Sequence, residues 1–209
     1  MLLTLVANVA SYTGIVKAFK TFKTCETNDL DETNNAKMMY DIYRLRYDTF
    51  CKRLKWIPGN PQSGLEMDHW DERATHFAVY FRNKPVAYAR ALVGGYSDIM
   101  IGHDFKPLLP NGSHHMNPMF SFEVTRLCVA DHIKSRWLKM CIIGLLYIII
   151  RAWASSNSLN RLWAVLSRRT GDFLQPICGR IGYTNFTEVA SGKMPGDDNE
   201  YLVIFADVK

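Results

Sequence analysis

The sequence predicts a single α/β domain, a mixed sheet flanked by helices. Three observations lead there. Apolar strand-like runs such as Thr75–Phe81 and Arg161–Leu166 alternate with segments of helical period. The apolar run from Met140 to Ile150 stands between two strand-like runs, an order that calls for a parallel crossover. And 209 residues with 48% hydrophobic content suffice for one substantial core.

In chain order, residues 1–36 read as an amino-terminal extension and polar linker, and 37–209 as the domain. The run Met1–Val16 is apolar but has no basic start and no small-residue cleavage site, so it is expected as a helical extension rather than a leader. Residues 22–36 are polar and read as the linker. From Ala36 to Leu54 the apolar positions Met39, Ile42, Tyr43, Phe50 and Leu54 recur at helical spacing. Pro58–Gly64 is a loop. Thr75–Phe81 and Val86–Leu92 form a hairpin joined by 82–85. Phe120–Val129 is a strand, Trp137–Trp153 a buried helix and Arg161–Leu166 a strand. Gly171–Arg180 is a helix broken near Pro176, and Leu202–Val208 closes the sheet.

Composition excludes several functions. The net charge of +5 is scattered and forms no dense basic stripe, so no nucleic-acid partner is expected. Cys25, Cys51, Cys128, Cys141 and Cys178 are odd in number and lack metal or CxxC spacing, which points to a reducing cytoplasm. The run 140–150 is far shorter than the roughly 20 residues a bilayer needs, so no stable membrane insertion is expected. His114 and His115 are adjacent in a loop and cannot share one ion, and no metal is expected. GxSxG, GxGxxG and GxxxxGK[ST] are absent.

What remains is a set of charges in apolar surroundings. Glu123 and Arg126 lie within one strand-like run, Arg90 in another, Asp68 and Asp71 beside Trp70, and Arg46 on the apolar stripe of a helix. Burying an isolated ion costs several kcal/mol, so such charges are paired, neutralised or functional. Taken alone, the carboxylates are candidate acids or bases and the arginines candidate anion binders. Glu123 and Arg126 also pose a geometric problem. An odd separation in a regular strand puts them on opposite faces, so either a bulge intervenes or one of them is structural.

The ordered set Arg46, Phe50, Trp56, then Glu66, Asp68, Trp70, Asp71, then Arg90 and Leu92, then Glu123, Thr125, Arg126 resembles the acyl-homoserine lactone synthases, the LuxI-type autoinducer synthases of quorum sensing. Phe105 and Leu108 fit a short helix that the family places between the last two motifs. Leu127 and Ala87 depart from the family pattern without removing a charged residue. The resemblance implies a fold similar to the N-acetyltransferases (GNAT). It also implies an acyl transfer from an acyl-carrier-protein or acyl-CoA thioester to the amine of S-adenosylmethionine, with closure of the lactone and release of methylthioadenosine, and with no cofactor. It gives Glu123, Asp68 and Arg126 catalytic roles. Arg46, Phe50, Trp56 and Asp68 would hold S-adenosylmethionine, and ion pairs of Asp71, Arg90 and Arg126 would support the site. The acyl chain is expected between the sheet and the 137–153 helix, with Leu145, Leu166 and Ser167 in its pocket. Arg168, Arg169 and Arg180 are candidates for the carrier-protein contact.

Relatives making 3-oxo products often carry a Thr near 162–167. Its absence here implies an unsubstituted acyl group, with Ser167 as the one possible substitute donor. Two other readings compete, another GNAT-fold N-acyltransferase using acyl-CoA and a non-catalytic regulatory relative.

Overall fold

A computed structural model describes residues 22–26, 32–109, 116–117, 119–195 and 198–209. The extension 1–21 and the pair His114–His115 lie outside the described residues. The elements are β1 (Phe22–Glu26), α1 (Glu32–Arg46), a π-helical turn (Tyr47–Arg53), β2 (Thr75–Phe81), β3 (Lys84–Val93), β4 (Ser121–Val129), α2 (Arg136–Ser156), β5 (Arg161–Ser167), α3 (Arg168–Arg180), β6 (Tyr183–Lys193) and β7 (Glu200–Val208). The sheet has seven strands in the order β1-β2-β3-β4-β5-β7-β6. All neighbours are antiparallel except β4 and β5, which α2 joins as a parallel crossover.

Local chemistry sets the boundaries. The β2–β3 hairpin needs only Arg82 and Asn83, both at positive φ, the backbone that matches the twist of paired strands. Ser135 accepts a hydrogen bond from the Leu138 amide and starts α2, while Ser167 accepts from the Thr170 amide and starts α3. That second cap moves α3 forward to Arg168. α3 runs on through Pro176 to Arg180, although the proline lacks the N–H for its own helical bond and crowds the carbonyl four residues back.

Three expectations are corrected. Residues 22–26, taken as linker, form β1 and pair with β2, and α1 begins at Glu32 inside the same polar stretch. The strand β6 was not anticipated, because as an outer strand it exposes much of both faces and carries no apolar alternation. The first helix ends as an α-helix at Arg46, and the remainder to Arg53 is wound wider.

The sheet separates two cores. On one face α2 lays Ile142, Leu146, Ile150 and Trp153 against the strands, with Trp153 edge-on to both Phe77 and Phe122. By length and composition α2 could cross a membrane, yet this face is packed into the sheet, while Cys141, Gly144, Leu145, Ile148 and Ile149 are only half-buried. On the other face Leu92, Ile99, Ile101, Trp163 and Val203 pack beneath short 3-10 turns at 96–108.

β4 and β5 are in register only at Ser121–Arg161, Phe122–Leu162 and Glu123–Trp163. Beyond that last rung β4 runs on to Val129 and β5 to Ser167 without further pairing between them. The strands therefore open a V with Glu123 and Trp163 at its apex. By strand parity both side chains lie on the face of the second core, opposite Phe122 and Leu162.

Candidate active site

A bulge in β4 settles the Glu123–Arg126 problem. Tyr88 faces Cys128 and Arg90 faces Thr125, so Arg126 and Leu127 together oppose the single residue Ala89. Arg126 adopts φ 56°, a conformation that costs a β-carbon-bearing residue on the order of 1 kcal/mol. This turns its guanidinium back to the face that carries Arg90, Thr125 and Glu123.

There it completes a closed ionic network. Arg46 Nε donates to Glu66 Oε2 at 2.5 Å, and Nη1 to Asp71 Oδ1 at 2.6 Å. Arg90 donates to both Asp68 oxygens, at 2.5 and 2.8 Å, to Asp71 Oδ1 at 2.5 Å and to Thr125 Oγ1 at 2.9 Å. Arg126 reaches Glu66 Oε1 at 3.2 Å and Asp68 Oδ2 at 2.8 Å. Three arginines face three carboxylates, so the cluster is neutral as a whole. Burial opposes the charge on Arg46 and Arg90, but the hydrogen bonds and opposite charges around them hold both firmly protonated. For Asp68 burial works upward, and the hydrogen bond and charge of Arg90, with Arg126 and Arg46, overcome it and keep the carboxyl ionised below its usual range.

Backbone geometry locks the acidic turn. Asp68 caps the 3-10 helix His69–Arg73 by accepting from the Trp70 amide, and Asp71 Oδ2 accepts from the Asp68 amide. Beneath it His76 Nε2 lies 3.0 Å from the Asp71 carbonyl and Nδ1 2.8 Å from the Tyr88 hydroxyl. Burial lowers the His76 pKa. The neutral ring thus donates from Nε2 to the carbonyl and accepts from Tyr88 at Nδ1.

Glu123 is built differently. It is completely buried, Oε2 accepts from the Ile101 amide at 3.3 Å, and Oε1 has no partner among the described residues. Burial pushes its pKa up to about 8, against the lowering effect of the Ile101 and Met100 amides and of Arg90. Such a carboxyl exchanges its proton near neutral pH.

The structure redistributes the residues expected to hold a ligand. Arg46, expected to grip a substrate carboxylate, is fully buried and gives Nε to Glu66 and Nη1 to Asp71, while its Nη2 has no hydrogen-bond partner among the described residues. Phe50 is also buried, with Arg126 over one ring contact at 5.8 Å and Trp56 stacked at 6.1 Å. Trp56, 49% exposed, offers an accessible aromatic surface stacked on Phe50, and Asp68 and Arg126 keep some exposure. Of the expected acyl pocket, only Leu166 lines the cavity of about 210 Å³ found between the sheet and α3, together with Leu162, Ala164, Leu174, Leu202 and Ile204. Leu145 packs into the main core instead, and the Ser167 hydroxyl is engaged with Thr170. Most of this cavity lies under α3, with Tyr147 its contribution from α2. Arg168 is tied to Glu188 and Glu200, while Arg169 and Arg180 are exposed and outside any ion pair among the described residues.

Sequence reasoning gave Glu66 no role, although its place in the acidic motif was a usable signal. His76, Tyr88 and Trp163 carried none, because an aromatic or histidine at an inward strand position reads as plain core.

Residues 29–206 match the model of a family described as autoinducer synthase. The sequence comparison with curated proteins gives no match. Among solved structures, the chain is similar to MesI, a CoA-dependent acyl-homoserine lactone synthase (18% identity, 90% of this chain and 89% of that one, TM-score 0.68). It is similar to TofI, solved with an inhibitor and MTA (14%, 90% and 92%, TM-score 0.69). It also resembles a Lactobacillus plantarum protein assigned as an N-acetyltransferase (12%, 90% and 99%, TM-score 0.56). At these identities the likeness establishes the fold, a GNAT-like sheet.

Proposed function

We propose, from the premise that this chain belongs to the autoinducer synthase family, that it acylates S-adenosylmethionine and closes the product to an acyl-homoserine lactone for quorum sensing. The observation that carries this reading is Glu123, a buried carboxyl raised to about 8 with one free oxygen at the apex of the β4–β5 opening. Transfer requires a neutral amine, since an ammonium has no lone pair. An ionised Glu123 takes that proton, directly or through water.

The amine nitrogen then attacks the thioester carbon and a carbon–nitrogen bond forms. The thiol leaves with a proton, and the substrate's own carboxylate displaces methylthioadenosine at the γ-carbon to close the ring. That second step is intramolecular, so the site need only hold carboxylate and γ-carbon together. Arg126 suits the carboxylate, Asp68 the ammonium, and the open face of Trp56 the adenine or sulfonium. Arg46, Arg90, Glu66 and Asp71 hold these groups in place. The backbone edges of β4 and β5 that do not pair with each other across the V fit an extended amide chain such as the pantetheine arm common to both donors.

The carrier is an acyl carrier protein in this reading. The turn before α2 carries Asp131, paired with Arg53 and Lys134, where a coenzyme A pyrophosphate would need donors, while Arg169 and Arg180 are free for an acidic partner. The acyl chain occupies the cavity under α3 and is unsubstituted at its third carbon. The Ser167 hydroxyl is engaged with Thr170, the Thr187 hydroxyl donates to the Asn185 carbonyl, and an unpaired oxo group costs about 1–3 kcal/mol. The enzyme works in the cytoplasm, where both substrates are made.

The test is mass spectrometry of the purified protein incubated with S-adenosylmethionine and matched acyl donors. Lactone and methylthioadenosine in equal amounts are expected, with higher kcat/KM for the carrier protein than for CoA and for the unsubstituted than for the 3-oxo donor. No lactone from any donor would overturn the reading, and a preference for the CoA or the 3-oxo donor would overturn the corresponding finer assignment.

A further inference from the structure

At the apex of the V two residues on one rung each carry a buried polar group without a partner among the described residues. Glu123 and Trp163 are in register on the last paired rung of β4 and β5, and both are fully buried. Glu123 Oε1 and Trp163 Nε1 each have no hydrogen bond among the described residues. Buried donors and acceptors are nearly always satisfied, so an adjacent unsatisfied pair calls for a ligand or water that supplies both. The two differ in kind, since the indole N–H only donates and an ionised carboxyl only accepts.

Phe205 packs against the Trp163 ring at 5.1 Å between centroids, which holds the ring in place. On the outer side Glu123 is covered by the Met100–Gly102 turn through the Ile101 amide. Past their rung β4 and β5 part, which opens the sheet next to both residues.

We propose that Trp163 is a catalytic residue whose indole N–H stabilises the oxyanion of the acyl transfer, paired with Glu123 as the base; this rests on the acyl transfer proposed above. The tetrahedral intermediate carries the reacting nitrogen and the former carbonyl oxygen on one carbon. When the amine lone pair forms the carbon–nitrogen bond, the carbonyl π pair moves to oxygen, where the Trp163 N–H donates to it. The proton on nitrogen passes to Glu123, which has by then released the first proton to water. Collapse restores the carbonyl and expels the thiolate, which leaves as the thiol on taking up that proton from Glu123, whose carboxylate is thereby restored. A donor and an acceptor on neighbouring strands thus match the two atoms that change charge on one carbon.

The experiment replaces the donor and keeps the ring. Trp163→Phe is one variant, and incorporation of 3-benzothienylalanine at 163, which puts sulfur where the N–H was, is the shape-preserving second. Wild-type turnover and S-adenosylmethionine calorimetry run alongside. If wild type makes no lactone, the acyl-transfer reading fails and this inference with it; if wild type turns over, the variants judge the inference alone. The expected result is a fall in kcat of about 10²-fold in both variants. KM for both substrates, the affinity for S-adenosylmethionine and the pH profile set by Glu123 should stay unchanged, which separates loss of the transition-state contact from loss of structure. Wild-type kcat in the benzothienyl protein would overturn the assignment, whatever the Phe variant does.

Discussion

The Arg46–Glu66–Asp68–Asp71–Arg90–Arg126 cluster and Glu123 occupy the same face of the sheet, and the protein handles charge oppositely in the two places. In the cluster each carboxylate meets at least two guanidiniums, the charges sum to zero, and Asp68 is held ionised. Glu123 accepts from the Ile101 amide at 3.3 Å with the Met100 amide acting on it as well, meets no side-chain donor among the described residues, and has an orphan oxygen and a pKa pushed up to about 8. Neutralising a buried ion by pairing gives a rigid support that does not titrate near neutrality, whereas leaving it unpaired gives a group that does. In the proposed reaction this contrast gives positioning to the cluster and proton transfer to Glu123.

The largest effect should come from Glu123→Gln, which keeps the shape and removes the acceptor. Turnover should fall by about 10²- to 10⁴-fold with the fold intact by circular dichroism. Near-wild-type turnover would place the base elsewhere and dissolve the contrast.

Arg90→Met should invert that outcome. It leaves Asp68 and Asp71 buried without their shared partner, and stability measured by denaturant unfolding should drop by about 3–5 kcal/mol. A variant as stable as wild type would show that the cluster is not a structural unit.

The pH dependence sharpens the comparison next. An unfolded carboxyl titrates near its ordinary 4.5 and the folded Glu123 near 8, so between them the native state holds a proton that the unfolded state has lost. Stability attributable to this residue therefore falls as pH rises across that window, and Glu123→Gln should flatten the curve. In wild type, kcat/KM should rise with pH through about 8, because catalysis needs the ionised form. A pH-independent kcat/KM between 6 and 9 would contradict the assignment.

The smallest effect is expected at Trp56, exposed and outside both regions. Trp56→Ala should weaken S-adenosylmethionine binding about fivefold by calorimetry, consistent with roughly 1 kcal/mol for a cation over an exposed ring, and leave stability nearly unchanged. Unchanged affinity would remove it from the binding surface.

Much of this could be read from the chain. Periodicity located β2, α2 and β5, because each has one face or stripe that must be apolar. The charged members of both regions were legible as charges in apolar runs. The missed strands β1 and β6 lie at the two edges of the sheet, where a strand need not be apolar, so composition presents them as linker or loop. Their backbone pairing, which no local pattern encodes, makes them part of the sheet.

The sequence by itself determined the fold class, the order of the central elements and which ionisable groups would leave water. It did so because periodicity and the cost of burying charge are local properties of residue types. Only the tertiary structure decided which carboxylate would be paired and which left alone. That depends on one extra residue in β4, which turns Arg126 toward Glu66 and Asp68, and on the parting of β4 and β5 just past Glu123 and Trp163. Both are matters of register between strands distant in sequence, and register is set by the packing of the whole sheet.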